Sequence, residues 1–152
     1  IGLTMVLAAL GFVISLGLLN VDAFIVRQNV QREVRGLGDD PAAQDHPELD
    51  AQYFLNLSDD AVPALVEAFA DKSLPVDVHE KLGAALVCKR HERLTSQDAP
   101  WQAFHVSRYL ADTRFQSIEK DLAPYTLVET DRSLTVETPG GEEFSCWAYL
   151  SD

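Results

Sequence analysis

Residues 1–21 (IGLTMVLAALGFVISLGLLNV) contain no ionisable side chain, and no other feature of the chain restricts its folding so strongly. At 1.5 Å rise per residue, nineteen residues of helix cover roughly 28 Å, close to the thickness of a bilayer's hydrocarbon core. The run therefore predicts a transmembrane helix over residues 1–21. A cleaved signal peptide would need a basic leading region, a shorter apolar core and a small-residue cleavage site, whereas this run passes into Asn20-Val21-Asp22-Ala23-Phe24. A buried core helix of a water-soluble protein is normally shorter and carries a polar face.

Within this helix Thr4, Ala8, Gly11 and Ser15 recur at i, i+4, i+7 and i+11, so four small residues share one face. Small faces let helix backbones approach closely in lipid, where no hydrophobic effect drives association. A lone anchor has no use for such a stripe. The expectation is the last helix of a larger polytopic protein, whose partners are the lipid bilayer and other transmembrane helices of the same protein.

All the charge lies after residue 21, where 12 Lys and Arg face 24 Asp and Glu for a net charge of −12. Nucleic-acid binding needs a basic patch that neutralises phosphates, and here the cations are interspersed with more numerous carboxylates. Nucleic acid is thereby set aside; a protein partner for the acidic tail is not.

Beyond the apolar run, the pattern predicts a juxtamembrane helix over 22–35, capped by Asn20 or Asp22, with Val26, Val30 and Val34 spaced by four. Gly36 and Gly38 then predict its end, and residues 36–48 (GLGDDPAAQDHPE) read as a linker. Residues 49–152 read as a soluble helical domain. Asp50 can cap a turn carrying Tyr53, Phe54 and Leu57, and Ser58-Asp59-Asp60 offers further caps. Val62, Leu65, Val66 and Phe69 fall at i, i+3, i+4 and i+7, a full amphipathic face, with Pro63 tolerated in the first turn. After Pro75, Asp77 is a plausible cap for a helix buried through Val78, Leu82, Ala85 and Leu86, with the basic end 89–93 suiting the helix dipole. A third helix should begin near Asp98 or Pro100 and run to about Leu122, with Phe104, Ala111, Phe115, Ile118 and Leu122 on one side. Residues 58–87 read like one unit of a HEAT-type repeat, which cannot bury its own faces, and residues 1–152 hold no second copy.

The last thirty residues change period. Strands are expected at about 125–130, 134–138 and 143–149, separated by Asp131-Arg132-Ser133 and Pro139-Gly140-Gly141, as a hairpin or three-stranded antiparallel meander. The expected class is mainly α, an N-terminal transmembrane helix followed by a small helical domain with this C-terminal β element.

Chemistry-bearing motifs are sparse. Cys88 and Cys146 have neither CxxC partners nor zinc-ligand spacing, so they read as buried free thiols; a disulfide between them would require the tail to lie outside the cytoplasm. His46, His79, His91 and His105 form no HExxH, and no nucleophile elbow or phosphate loop is present. No catalytic residue, metal site or cofactor is expected, and the chain does not read as an enzyme. Two groups of residues stand as candidates for interaction. Asn20, Asp22, Arg27 and Asn29 lie at the water boundary of the apolar helix, serving either as caps and snorkelling groups or as polar contacts to other transmembrane helices or to the tail. Trp101, His105 and Arg108 share a helix face, either as an edge-of-core cluster with a stacked Arg or as an anion site.

The order of an apolar span, NVDAFIVRQN, LDAQYFLNLSDDAVPALVEAF, a Leu-Pro break and WQAFHVSRYLA resembles the C-terminal part of polytopic bacterial membrane proteins of domain-of-unknown-function family 4173, related to family 4153. The resemblance covers roughly residues 1–112 and departs at Val21, where the family pattern has Pro. It implies an integral protein of an inner or plasma membrane with no assigned activity, and it supplies no catalytic residues. Arg27, Arg32 and Arg35 near the membrane edge lean the tail toward the cytoplasm by the positive-inside rule. The favoured function is a membrane-proximal structural or interaction domain. The alternative is the tail of a transporter or membrane enzyme whose active groups lie mainly in upstream helices.

Overall fold

The computed structural model describes residues 2–18, 20–39, 49–95, 106–130 and 133–146. Helix α1 is Gly2–Leu18, 17 residues and about 25 Å long at the α-helical rise. Among the described residues no helix is long and apolar enough to cross a membrane, so the transmembrane expectation over 1–21 does not follow from the fold. The side chains of Met5, Val6, Leu7, Leu10 and Phe12 are exposed, Met5 by 70%.

Asn20 ends the apolar segment by starting a new helix. Its Oδ1 accepts from the Ala23 amide at 2.8 Å and its carbonyl accepts from Phe24 at 3.0 Å, an N-cap for α2, Val21–Asp39. Asp22 stands in the first turn, where the helix dipole favours a carboxylate. The helix continues through Gly36 and Gly38 to Asp39, so both the expected stop at Arg35 and the first four residues of the expected linker are corrected. A glycine inside a helix costs about 1 kcal/mol relative to Ala, a penalty rather than a block. Residues 40–48 of the expected linker lie outside the described residues.

Two short 3-10 helices follow, Ala51–Asn56 and Asp59–Ala61. Asp50 and Ser58 cap them as the sequence suggests, their side chains accepting from the amides of Tyr53 and Asp60. Helix α3, Val62–Ala70, carries Pro63 in its first turn and buries Val62, Leu65, Val66 and Phe69 together, as the spacing requires. Helix α4, Val76–Thr95, starts directly after Pro75 and buries Val78, Leu82, Ala85 and Leu86. Helix α5 is Val106–Ser117, followed by turns rather than by helix to Leu122; the expected start near Asp98 or Pro100 lies outside the described residues. Ala111, Phe115, Ile118 and Leu122 are nevertheless buried in order. Phe104 lies outside the described residues.

The strands β1, Thr126–Thr130, β2, Ser133–Glu137, and β3, Glu143–Ser145, form an antiparallel meander in the order β1-β2-β3. Its registers pair Val128 with Thr135 and Val136 with Phe144. The second turn uses Gly141 at φ 84°, a left-handed conformation that glycine adopts without a Cβ clash. Glu80 of α4 locks this turn to the helices, accepting from Thr138 Oγ1 at 2.8 Å and from the Gly140 amide at 3.2 Å. Val136 is fully buried against the helical layer.

One close approach fixes how the sheet's entry strand meets α4. A Cβ placed on Gly83 would lie 2.2 Å from the ring of Tyr125, which is itself buried and edge-on to Phe69. Gly83→Ala is therefore expected to lower stability by about 1–3 kcal/mol, the usual range for overpacking, despite a gain in helix propensity; a urea titration measures it. Burial pushes the Tyr125 hydroxyl up to about 12, with Glu80 adding a smaller push. The unfolded chain releases this proton near pH 10, so the contribution is complete below pH 10 and is lost as pH rises through about 12. Alkaline unfolding curves should show that loss of stability, and Tyr125→Phe should remove its pH dependence.

The cysteines are not free. Cys88, buried on α4, is bonded to Cys146 at the end of β3, with the Cα atoms 5.2 Å apart across 58 residues of sequence. The expectation of two free thiols is corrected: the meander packs back onto α4 and brings together residues whose spacing says nothing about proximity.

Candidate functional site

The polar residues that follow the apolar helix converge on the surface where α2 meets the rest of the domain. Asn20 Nδ2 donates to the Asp60 carbonyl at 2.8 Å. One oxygen of Asp22 accepts from the Ser58 amide at 2.9 Å and also from the Ser58 hydroxyl in a shorter contact. Arg27 reaches Glu67 of α3 at 3.0 Å, an exposed pair that contributes little, of order 0–1 kcal/mol. Asn29 turns back on its own helix and donates to the Ile25 carbonyl at 3.0 Å. Of the two readings for this stretch, capping and contact with the tail are both present for Asn20. Asp22 and Arg27 contact the tail, and among the described residues Asn29 does neither.

Beneath these contacts α2 presents Ala23, Val26 and Val30 to the common core, Val26 with no exposed surface. Val34, expected on the same stripe, is 40% exposed. Residues four apart advance about 400° around a helix, so each step drifts about 40° and the third valine has left the face that Ala23 and Val26 define. Burying a valine fully contributes about 1.5 kcal/mol or more, which makes this apolar seam, not the ion pair, the stronger hold on α2.

Two cations of the basic end of α4, Lys89 and Arg93, hold the segment 55–59 that leads into these contacts. Lys89 is buried, and its Nζ donates to the carbonyls of Leu57 at 2.6 Å and Leu55 at 3.4 Å, tying off the end of the first 3-10 helix. Burial lowers its pKa below the ordinary 10.5, against the attraction of Glu92, Asp59 and Asp22. Its contribution to stability therefore rises with pH up to 10.5 and is lost as pH falls through the lowered value. A signal was present: Lys89 continues the stripe Val78, Leu82, Ala85, Leu86 at helical spacing, which points its stem inward. Replacing Lys89 by Met should cost only about 1 kcal/mol, because the lost hydrogen bonds are offset by removal of a desolvated charge. Lys89→Glu should cost about 3–5 kcal/mol, since it buries a carboxylate among carbonyls and acids. Chemical denaturation of the two variants separates these outcomes.

Arg93 lies one turn further along α4. It holds Asp59 through Nη1 and both oxygens of Asp112 on α5 through Nη2, at 2.9 and 3.0 Å. Arg108 approaches the same Asp59 carboxylate at 3.9 Å, so it joins this network. Trp101 and His105, its expected companions, lie outside the described residues.

Every polar side-chain atom fully buried among the described residues has a hydrogen-bond partner, and no three His, Cys, Asp or Glu side chains there converge as metal ligands. The Ser58 hydroxyl donates to Asp22 and accepts from Asp60, which is the geometry of a cap and a clamp. What the arrangement can do is hold: it fastens the helix that follows α1 to a disulfide-bonded core.

Residues 2–68 match the family model of a domain of unknown function, DUF4153. No curated protein and no solved structure matches the chain. The DUF4153-like segment covers less than half of the 152 residues and ends inside α3. It contains both sides of the clamp, Asn20, Asp22 and Arg27 on one and Ser58, Asp60 and Glu67 on the other. The stabilising elements behind the clamp, Lys89, Arg93 and the disulfide, lie outside the DUF4153-like segment.

Proposed function

We propose that this chain is the membrane-proximal end of a multi-span protein of the kind the 4173 resemblance suggests, with α1 in the bilayer and the following domain a structural or interaction module. The observation that carries this reading is the seating of Ala23, Val26 and Val30 in the domain core immediately after the uncharged α1. A domain on a loose tether would not bury the first turns that follow its anchor. Support for α1 as a bilayer helix comes from its lack of charge and from exposed Met5, Leu7, Leu10 and Phe12, an apolar surface that water does not stabilise. Leu19 and Val21 extend the apolar sequence on either side of Asn20.

The test is membrane extraction of the full-length protein. The chain should remain in the membrane fraction through alkaline carbonate washing, and Ala8→Cys should form a disulfide with a cysteine scanned along another helix of the same protein. Release of the chain by carbonate would overturn the bilayer reading. Retention with no cross-link at any scanned position would reduce α1 to a lone anchor and overturn the multi-span reading.

A further inference from the structure

We infer that the domain from α2 onward faces an oxidising compartment, on the side of the membrane away from the cytoplasm; the membrane half of this statement rests on the anchored reading above. The Cys88–Cys146 bond joins the middle of α4 to the end of β3, and Cys88 is 97% buried in the common core. Disulfides form and persist where the surroundings are oxidising, whereas cytosolic thiols are kept reduced. The exceptions in reducing compartments are mostly transient, catalytic or sensing pairs, which need an accessible sulfur that a second thiolate can attack. Cys88 offers no such access, its partner Cys146 is half-buried against the same core, and the two positions are 58 residues apart rather than in an exchange-active CxxC. The sheet would stay in place without the bond, since Val136 is fully buried and Glu80 holds the turn at Thr138 and Gly140. The pair is therefore a permanent staple and not a switch.

This reverses the side suggested by Arg27, Arg32 and Arg35. The positive-inside rule describes a bias among short loops that single segments of multi-span proteins violate, and Arg27 is paired with Glu67 on the domain surface. A covalent bond with a chemical requirement outweighs such a bias.

The experiment traps thiols with N-ethylmaleimide in intact cells making the full-length protein, then reduces, denatures and counts newly exposed thiols with a polyethylene-glycol maleimide. The native chain should gain two more adducts than a C88S/C146S chain, both only after reduction. Cysteines already blocked by N-ethylmaleimide would overturn the proposal. Sidedness is read separately with Gln116→Cys, an exposed position on α5 that leaves the disulfide intact. An impermeant maleimide should label it in sealed right-side-out vesicles, and labelling only after the vesicles are opened would overturn the proposed side. Paired cysteines in a chain that carbonate releases would support the oxidising compartment while refuting the anchored reading, so the two failures are distinguishable.

Discussion

Replacing Cys88 and Cys146 together by Ser is expected to lower the unfolding free energy by about 4 kcal/mol. The bond closes a loop of 58 residues, and the chain-entropy relation for a loop of that length gives roughly this figure at room temperature. The effect arises largely in the unfolded chain, which regains the freedom the cross-link removes. The folded domain keeps its strand register and the contacts of Val136, so the double variant should fold at low temperature with an unchanged circular dichroism spectrum and a much lower denaturation midpoint. Treating the unsubstituted chain with a reductant under mild denaturation should reproduce the loss. If stability moves by less than about 1 kcal/mol, the bond is not formed in the working protein.

Val26→Asp is the second large effect, with an expected cost of about 3–5 kcal/mol. Val26 has no exposed surface, and the nearby cations are already engaged, Arg27 with Glu67 on the surface and Lys89 with the carbonyls of Leu55 and Leu57. The domain can relieve the charge only by releasing α2, which also gives up the burial of Ala23 and Val30 and the clamp at Ser58. Gln31→Asp, on the exposed face of the same helix, should stay within about 0.5 kcal/mol of the parent chain. Denaturant titration of the two variants in detergent micelles gives the comparison.

The elements that local chemistry dictates were legible in the sequence. The face Val62, Leu65, Val66 and Phe69, the caps at Asp50 and Ser58, and the turn at Pro139-Gly140-Gly141 all depend on neighbours within about one turn of chain, and each is present as the spacing implies. What could not be read depends on where distant segments meet. Spacing alone does not bring Cys88 and Cys146 together; the return of the meander onto α4 does. Lys89 looked like a cation favourable to a helix C-terminus, and only the placement of the first 3-10 helix beside α4 supplies the carbonyls that hold it. The end of α2 is not legible in Gly36 and Gly38, because a glycine's propensity is too weak to decide a boundary by itself. At the candidate site, Asn20, Asp22 and Arg27 were visible as boundary residues, while their partners Asp60, Ser58 and Glu67, some forty positions away, were not.

Helix α2 is part of the domain core and so couples α1 to it. Amide hydrogen exchange across residues 23–30 of the full-length protein in a lipid environment tests this most directly. Amides on α2 should exchange as slowly as those of residues 66–69 in α3, because both helices open only when the common core opens. Exchange of 23–30 at the rate of unstructured chain, with α3 still protected, would contradict it and leave the domain on a free tether.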